Sequence, residues 1–420
     1  MKKLCVLCAL ALMLAGLAAQ AEMPWQAEMP MQAEIFECGD YSYALLGTGT
    51  AEIAWWNGEG AEADVPAELD GHAVSAVGAY AFAGAEWLEK VILPDGVTRV
   101  EDGAFADCEA LKAVSMPETV CELGRNPFRG CAALTDLSLA GDAFRLESGA
   151  LVEAETGRLV SLIGPMESGA YEVPEGVKIV GEAAFEGRAD IMSIVLPEGV
   201  EVIGEDAFEG CEGLSAVALP ESLAEIGDRA FAECRALTEI DVPAGVKSIG
   251  IEAFSGCDAL ETATLSEGLI DLGDQAFVDC ASLRRIELPL SLEAIGLNPF
   301  MGCDSLAEIA VPEGHALLSL SDGVLLADGG RRLVCYPMAL DAVRYAVPEG
   351  VERIDDYAFY CCARLLSVAV PEGVMEIGWS AFEGRGNLTL VVNRGSFAEG
   401  YAKEYMLKYA YPDSAAWLAE

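Results

Sequence analysis

Basic side chains are scarce. Against 69 aspartates and glutamates the 420 residues carry only 25 lysines and arginines, for a formal net charge of −44. A surface this anionic repels phosphate, which excludes nucleic acid as a natural partner and argues against docking on anionic lipid. Histidine is scarcer still, with two residues, His72 and His315, and past the apolar N-terminal stretch, which holds Cys5 and Cys8, no Cys-x-x-Cys pair accompanies them. A structural zinc site therefore lacks its ligands. There is no Gly-x-Ser-x-Gly elbow and no phosphate-binding glycine loop, so the common hydrolytic and nucleotide chemistries lack parts. Carboxylates are so abundant that no glycosidase-like pair stands out. Beyond the first residues no apolar run is long enough for a transmembrane helix. These absences point away from an enzyme, a cofactor and membrane insertion, and the high charge favours a monomer.

What is present begins with an export signal. Lys2 and Lys3 precede an apolar stretch from Leu4 to Leu17, and Ala19-Gln20-Ala21 supplies a small-x-small cleavage pattern. Residues 1–21 are expected to be a secretory signal peptide cut after Ala21, with a retained anchor as the alternative. The near-repeat Gln20-Ala21-Glu22-Met23-Pro24 and Gln26-Ala27-Glu28-Met29-Pro30 reads as a flexible lead. No sortase-type Leu-Pro-x-Thr-Gly signal follows, so the product is expected outside the cell, released or held at its surface by other means.

The dominant feature is a repeat. Ala-Phe, or Pro-Phe in two copies, recurs with Phe at 82, 105 and 128, then 185, 208, 231, 254, 277 and 300, then 359 and 382, always 23 residues apart within a group. In one unit Leu237, Ile240 and Val242 mark a half-buried strand that Pro243 ends and Gly245 turns. Val246 and Ile249 return to the interior, and Phe254 fills the coil. One such unit cannot bury its own apolar face. Stacking units about 4.8 Å apart makes a continuous core lined by parallel sheets.

Two gaps break the beat, 57 residues from Phe128 to Phe185 and 59 from Phe300 to Phe359. Both follow Asn-Pro-Phe-x-Gly-Cys, at Asn126 and at Asn298. Both hold two apolar runs around a turn, Ala150–Val152 with Leu159–Val160, and Val324–Leu326 with Leu333–Tyr336. Each reads as a β-hairpin inserted into a coil, and the spacing of about 172 residues suggests a duplicated longer block.

The recurrent Leu-x-x-Val-x-Leu-Pro-Glu-Gly-Val-x-x-Ile-Gly-x-x-Ala-Phe-x-Gly-Cys resembles the BspA-like, treponemal-type leucine-rich-repeat family. So do the insert Asp322-Gly323-Val324-Leu325, the opening Gly49-Thr50-Ala51-Glu52-Ile53 and the ending Gly395-Ser396-Phe397-Ala398. The resemblance covers nearly the whole chain past the signal. It implies a β-rich repeat solenoid, a right-handed leucine-rich-repeat superhelix of about 23-residue units with parallel sheets, two inserted hairpin modules and terminal caps. Residues 22–70 would form the lead and N-terminal cap, 71–392 the solenoid with hairpins near 140–172 and 315–346, and 393–420 a helical cap. The usual Asn after the strand is missing, so functions of receptor-type or inhibitor-type relatives do not transfer. What the resemblance implies for function is a surface protein for adhesion and host or matrix binding.

Three sets of residues are candidates for function. Cys108, Cys131, Cys211, Cys234, Cys257, Cys280, Cys303 and Cys362 all fall three residues after the Phe. They form either a disulfide or metal ladder or, as expected here, a column of small buried thiols, since Ala85, Arg188 and Arg385 take the same place elsewhere. An acidic residue follows the strand-ending Pro, or Ser266 in one copy, in nine of eleven units: Asp95, Glu118, Glu175, Glu198, Glu221, Glu267, Glu313, Glu349 and Glu372. Carboxylates stacked about 5 Å apart repel by on the order of 1 kcal/mol per pair in water. They make a solvated ridge, or weakly hold calcium or a basic protein. Trp55, Trp56, Trp87 and Trp379 fall outside the core positions and suit a sugar ring or a protein anchor, or else cap the open ends of the core. Outward strand positions such as Ala113, Ser115, Ala216, Ala218, Thr262 and Thr264 suggest a smooth, nearly uncharged sheet face. The resulting expectation is a non-catalytic binder of a protein or polysaccharide. A self-associating matrix protein and, further off, a glycan-acting enzyme are the alternatives.

Overall fold

The computed structural model describes residues 34–166, 168–384 and 388–414. The expected signal peptide, its lead and Arg385 lie outside these residues. The repeat folds as a β-solenoid, and one coil shows how. The strand Glu239–Val242 pairs in parallel with Thr262–Leu265 of the next coil, and the two-residue strand Ser248–Ile249 pairs with Asp271–Leu272. Between them the Val246 N–H donates to the Pro243 carbonyl at 3.1 Å, closing the turn that the proline begins. After Ile249 the chain must bend sharply, and Glu252 does so in the left-handed region at φ 54°. Such a conformation costs on the order of 1–2 kcal/mol for a residue with a Cβ. A third backbone ladder along the corner offsets that cost: Phe231 N–H donates to Ala253 O at 2.7 Å and Phe254 N–H to Ala276 O at 2.8 Å.

Coils approach so closely at the Ile-Gly step that a side chain does not fit. A Cβ at Gly227 would lie 2.8 Å from the backbone carbon of Gly204, and one at Gly273 would lie 2.5 Å from that of Gly250. The phenylalanines stack in register inside, with centroids 4.9, 5.0, 5.3 and 5.0 Å apart from Phe185 through Phe277.

The inserts are more than hairpins. Phe144–Glu147, Ala150–Glu153 and Arg158–Leu162 form a three-stranded antiparallel meander whose last strand then pairs in parallel with Ile179–Val180. Ser319–Ser321, Val324–Ala327 and Arg332–Cys335 repeat the arrangement, the last pairing in parallel with Arg353–Ile354. The N-terminus has the same topology, with Ile35–Cys38, Tyr41–Leu45 and Ala51–Trp56 leading into His72–Val77. The described chain is thus three blocks, each opened by a meander.

The two internal meanders are buried on both faces. Leu151 and Val160 belong to the core of the first block, whereas Ala150, Val152 and Leu159 belong to that of the second. At the next junction Leu325 and Val334 face the second core, and Val324, Leu326 and Leu333 face the third. Each meander is a septum between cores, which is why its strands read as continuous apolar runs. At the far end the helix Phe397–Glu404, capped by Ser396, and the strand Lys408–Ala410, parallel to Thr389–Val392, close the third core. Among the described residues no helix is long and apolar enough to cross a membrane.

Candidate binding surfaces

The four tryptophans separate into different environments. Trp56 is buried at 8% exposure and continues the phenylalanine ladder, 5.8 Å from Phe82, so it closes the core and is not open to a ligand. Trp55 is half-buried on the meander, opposite Ser42. Trp87 and Trp379 project outward, 69% and 59% exposed. Trp379 alone of these two has ring partners among the described contacts. It meets Tyr357 edge-on at 5.2 Å and 87°, and Tyr357 meets Tyr360 at 5.7 Å and 86°. The two tyrosines were not singled out from sequence. Tyr357 and Trp379 lie 22 residues apart, one short of the repeat, and that offset is the signal that sets them side by side on adjacent coils.

The acidic ridge is where the spacing puts it. Glu175, Glu198, Glu221, Glu267, Glu313, Glu349 and Glu372 are all exposed, as are Asp95 and Glu118. Part of their repulsion is offset by the turn below. Glu198 Oε1 accepts the Glu221 N–H at 3.3 Å, and the Glu267 oxygens accept the N–H groups of Leu290 and Ser291 at 3.0 and 3.1 Å. Among the described residues no group of three or more His, Cys, Asp or Glu is arranged to hold a metal ion.

The thiol column has a hydrogen-bonding role. Cys108, Cys131, Cys211, Cys234, Cys257, Cys280 and Cys303 are buried and free, and each S–H donates to the carbonyl of the Phe 26 residues earlier at 3.0–3.3 Å. Cys362 is half-buried and reaches Tyr336 O at 3.9 Å. Arg188 does the same work where the column lacks cysteine, donating to Leu162 O, also 26 residues back, at 2.8 Å. Burial pushes the Cys211 thiol up to about 12, which removes the thiolate that redox or metal chemistry needs.

The sheet face differs from expectation. Ala216, Ala218, Thr262 and Thr264 are exposed and small, but Glu239, Asp241, Arg285, Glu287 and Glu308 share the same faces. Arg285 pairs with Glu308 at 3.0 Å and Glu287 at 3.4 Å. The face is charged because strand positions that look outward are free to vary. An open groove of about 500 Å³ runs beside the glycine ribbon Gly204–Gly227–Gly250–Gly273, with Glu205, Glu225 and Asp271 on its walls. Sequence reading passed over it, although the repeated Ile-Gly marks its floor. Both histidines serve the backbone. His315 Nδ1 accepts from the N–H groups of Leu317 and Leu318 at 3.1 Å, so Nε2 carries the proton and donates to Pro289 O at 3.0 Å. His72 Nδ1 contacts Gly49 O at 2.9 Å.

No match was found among curated protein sequences. Among solved structures the chain is similar to a leucine rich cell surface protein from Faecalibacterium prausnitzii, at 24% identity over 87% of this chain and 77% of that one, with TM-score 0.39. The pneumococcal vaccine antigen PcpA is 19% identical over 86% and 71%, with TM-score 0.47. A leucine-rich repeat protein from Bacteroides ovatus is 22% identical over 90% and 99%, with TM-score 0.42. The family model for the BspA type leucine rich repeat region matches six copies, over residues 74–156, 178–307 and 340–400. Those spans cover well over half of the chain and coincide with the coils described above, and the chain belongs to the BspA type leucine-rich-repeat family.

Proposed function

We propose that the protein is an exported, surface-located binding module without catalytic activity, and that its ligand is a protein or a polysaccharide. The observation that carries this reading is the exposed aromatic corner at Trp379, in a chain whose repeated aromatic side chains are otherwise committed to the core ladder. Large, stiff aromatic surface left in water is characteristic of contact sites. The family resemblance supports it, since members are implicated in adhesion. The basic start, apolar run and Ala19-Gln20-Ala21 site support export. The two histidines are tied to backbone groups, and neither lines the open groove.

The test is a binding screen of the purified protein by biolayer interferometry against matrix proteins and polysaccharides, with calcium and with chelator. Saturable binding that survives the chelator is the expected result. Absence of binding to both classes, together with calcium-driven self-association in sedimentation, would replace this reading with a structural matrix role.

A further inference from the structure

We propose that the aromatic corner is a glycan site that takes the apolar face of a neutral hexopyranose, a ligand class that deepens, and rests on, the binding-module reading. The corner is preorganised. Asn298 Nδ2 donates to the Tyr357 carbonyl at 2.7 Å, and the Tyr357 N–H donates to the Trp379 carbonyl at 3.1 Å. Asp356 Oδ1 accepts the Trp379 N–H at 2.8 Å. Backbone on both sides of the tryptophan is therefore fixed, and its ring is braced edge-on by Tyr357, itself braced by Tyr360. Ordering such side chains on binding costs little entropy.

The rest of the repeat does not demand aromatics here. The equivalent pairs on earlier coils are Asp206 with Asp228, Arg229 with Ile251, and Glu252 with Asp274. The rim decides the ligand. Asp356 and the exposed Glu383 put carboxylate acceptors beside the rings, and a carboxylate can accept several hydroxyl donors at once. Sugar hydroxyls satisfy them, while a sulfated or uronic chain meets their charge and the field of a chain at −44. A protein anchor is the weaker fit. Protein hot spots sit at the centre of interfaces of about 800 Å² per partner with water excluded around them. Trp379 instead stands out from a corner, 59% exposed.

The experiment is isothermal titration of the purified protein with two neutral polysaccharides, a β-glucan and a galactomannan, and one anionic one, polygalacturonate, beside a panel of matrix proteins. Trp379→Ala is compared with Trp379→Phe and with Trp87→Ala, and a circular-dichroism melt verifies each fold. We expect a neutral polysaccharide to bind, Trp379→Ala to weaken it by about 10-fold or more, Trp379→Phe to retain much of it and Trp87→Ala to leave it unchanged. Equal binding by wild type and Trp379→Ala, preference for polygalacturonate, or no neutral polysaccharide bound would each overturn the glycan site. If a matrix protein binds while no glycan does, this inference fails and the binding-module reading stands. If nothing binds, both fail.

Discussion

The two septa that divide the solenoid share a topology and differ in how they are held. Both begin with an asparagine that stitches across the inserted meander: Asn126 Nδ2 donates to Ala183 O at 2.6 Å, and Asn298 Nδ2 to Tyr357 O at 2.7 Å. Both use one arginine to cover the final carbonyl of the last two-residue strand before the insert, Arg158 to Leu123 O at 2.7 Å and Arg332 to Ile295 O at 2.6 Å. At the first junction the remaining clasps come from half-buried arginines on the coil before the insert, and one of them reaches a buried carboxylate. Arg125 pairs with Asp206 and, at 3.5 Å, with Glu205, and Arg129 pairs with Glu186 at 2.7 Å. At the second, Leu297 and Met301 occupy those positions and the buried carboxylate is held from the meander instead. There Asp355, 0% exposed, stands where the first junction has Gly181, with Arg332 at 3.1 Å and Arg353 at 3.0 Å. The same architecture thus tolerates a buried carboxylate clasped from the coil before the insert, Asp206 by Arg125, or from the meander itself, Asp355 by Arg332. Among the described residues the aromatic corner occurs where Arg125 and Arg129 have given way to Leu297 and Met301.

The sharpest way to break this comparison is to remove the matched arginines. Arg332→Met leaves a buried carboxylate with one guanidinium and should cost about 3–5 kcal/mol. Arg158→Met loses a pair with Glu153 that water still reaches and should cost about 1 kcal/mol. Urea midpoints of the two variants measure both. Equal losses would show that the buried triad does not clamp the second septum.

The next effect is a pH dependence at the second junction. Burial pushes the Asp355 carboxyl up to about 6, outweighing the two arginines. Geometry explains why they do not prevail: Arg332 Nε and Asp355 Oδ2 are close without an aligned hydrogen bond. With the folded-state value above the unfolded one, the native chain holds a proton that the unfolded chain has released between about pH 4 and pH 6. The stabilisation is therefore full below about pH 4 and is lost as pH rises to about 6, a change of about 2–3 kcal/mol. Melts of wild type and Asp355→Asn across that range should differ by this slope. Parallel curves would place the ionised carboxylate in the fold at all pH values tested.

Much of the septum was legible beforehand, and the reasons it was not all legible are physical. The gaps after Phe128 and Phe300 and their shared Asn-Pro-Phe-x-Gly-Cys were visible because a 23-residue beat makes any departure conspicuous. The apolar runs of Ala150–Val152 and Val324–Leu326 marked strands because a strand buried on both faces needs no polar alternation. The outer strand of each meander was missed. Phe144–Glu147 and Ser319–Ser321 are short and mostly polar or exposed, as an edge strand can be. The kinship of the N-terminal meander with the septa was hidden too, since Tyr41–Leu45 has one face free of a neighbouring block and alternates accordingly. Trp379 was legible as an exposed aromatic, but its tyrosine supports follow only from the stacking of coils.

The stitching asparagines give a smaller contrast. Asn126→Ala loses the bond to Ala183 O and strands the buried Ser161 hydroxyl, which donates to Asn126 Oδ1 at 2.6 Å. It should cost about 2 kcal/mol. Asn298→Ala loses its bond to Tyr357 O but also removes an Oδ1 that is buried without a partner, so about 1 kcal/mol is expected. Chemical denaturation of the pair measures the difference, and a larger loss at Asn298 would mean that the unpaired oxygen has a donor in solution.

That unpaired oxygen has a specific origin. The residue matching Ser161 on the second meander is Cys335, 174 positions later and buried. A hydroxyl is a strong donor and a thiol a weak one, so the second septum has lost one buried hydrogen bond while extending the thiol column through Cys303 and Cys362. Cys335→Ser restores the first junction's chemistry in a nearly unchanged volume and should raise stability by about 1 kcal/mol. Ser161→Cys should lower it by a similar amount at the first junction. The pair of urea midpoints reads both signs. If Cys335→Ser destabilises, packing of the larger sulfur against the second core outweighs the hydrogen bond, and the septa differ by volume and not by polarity.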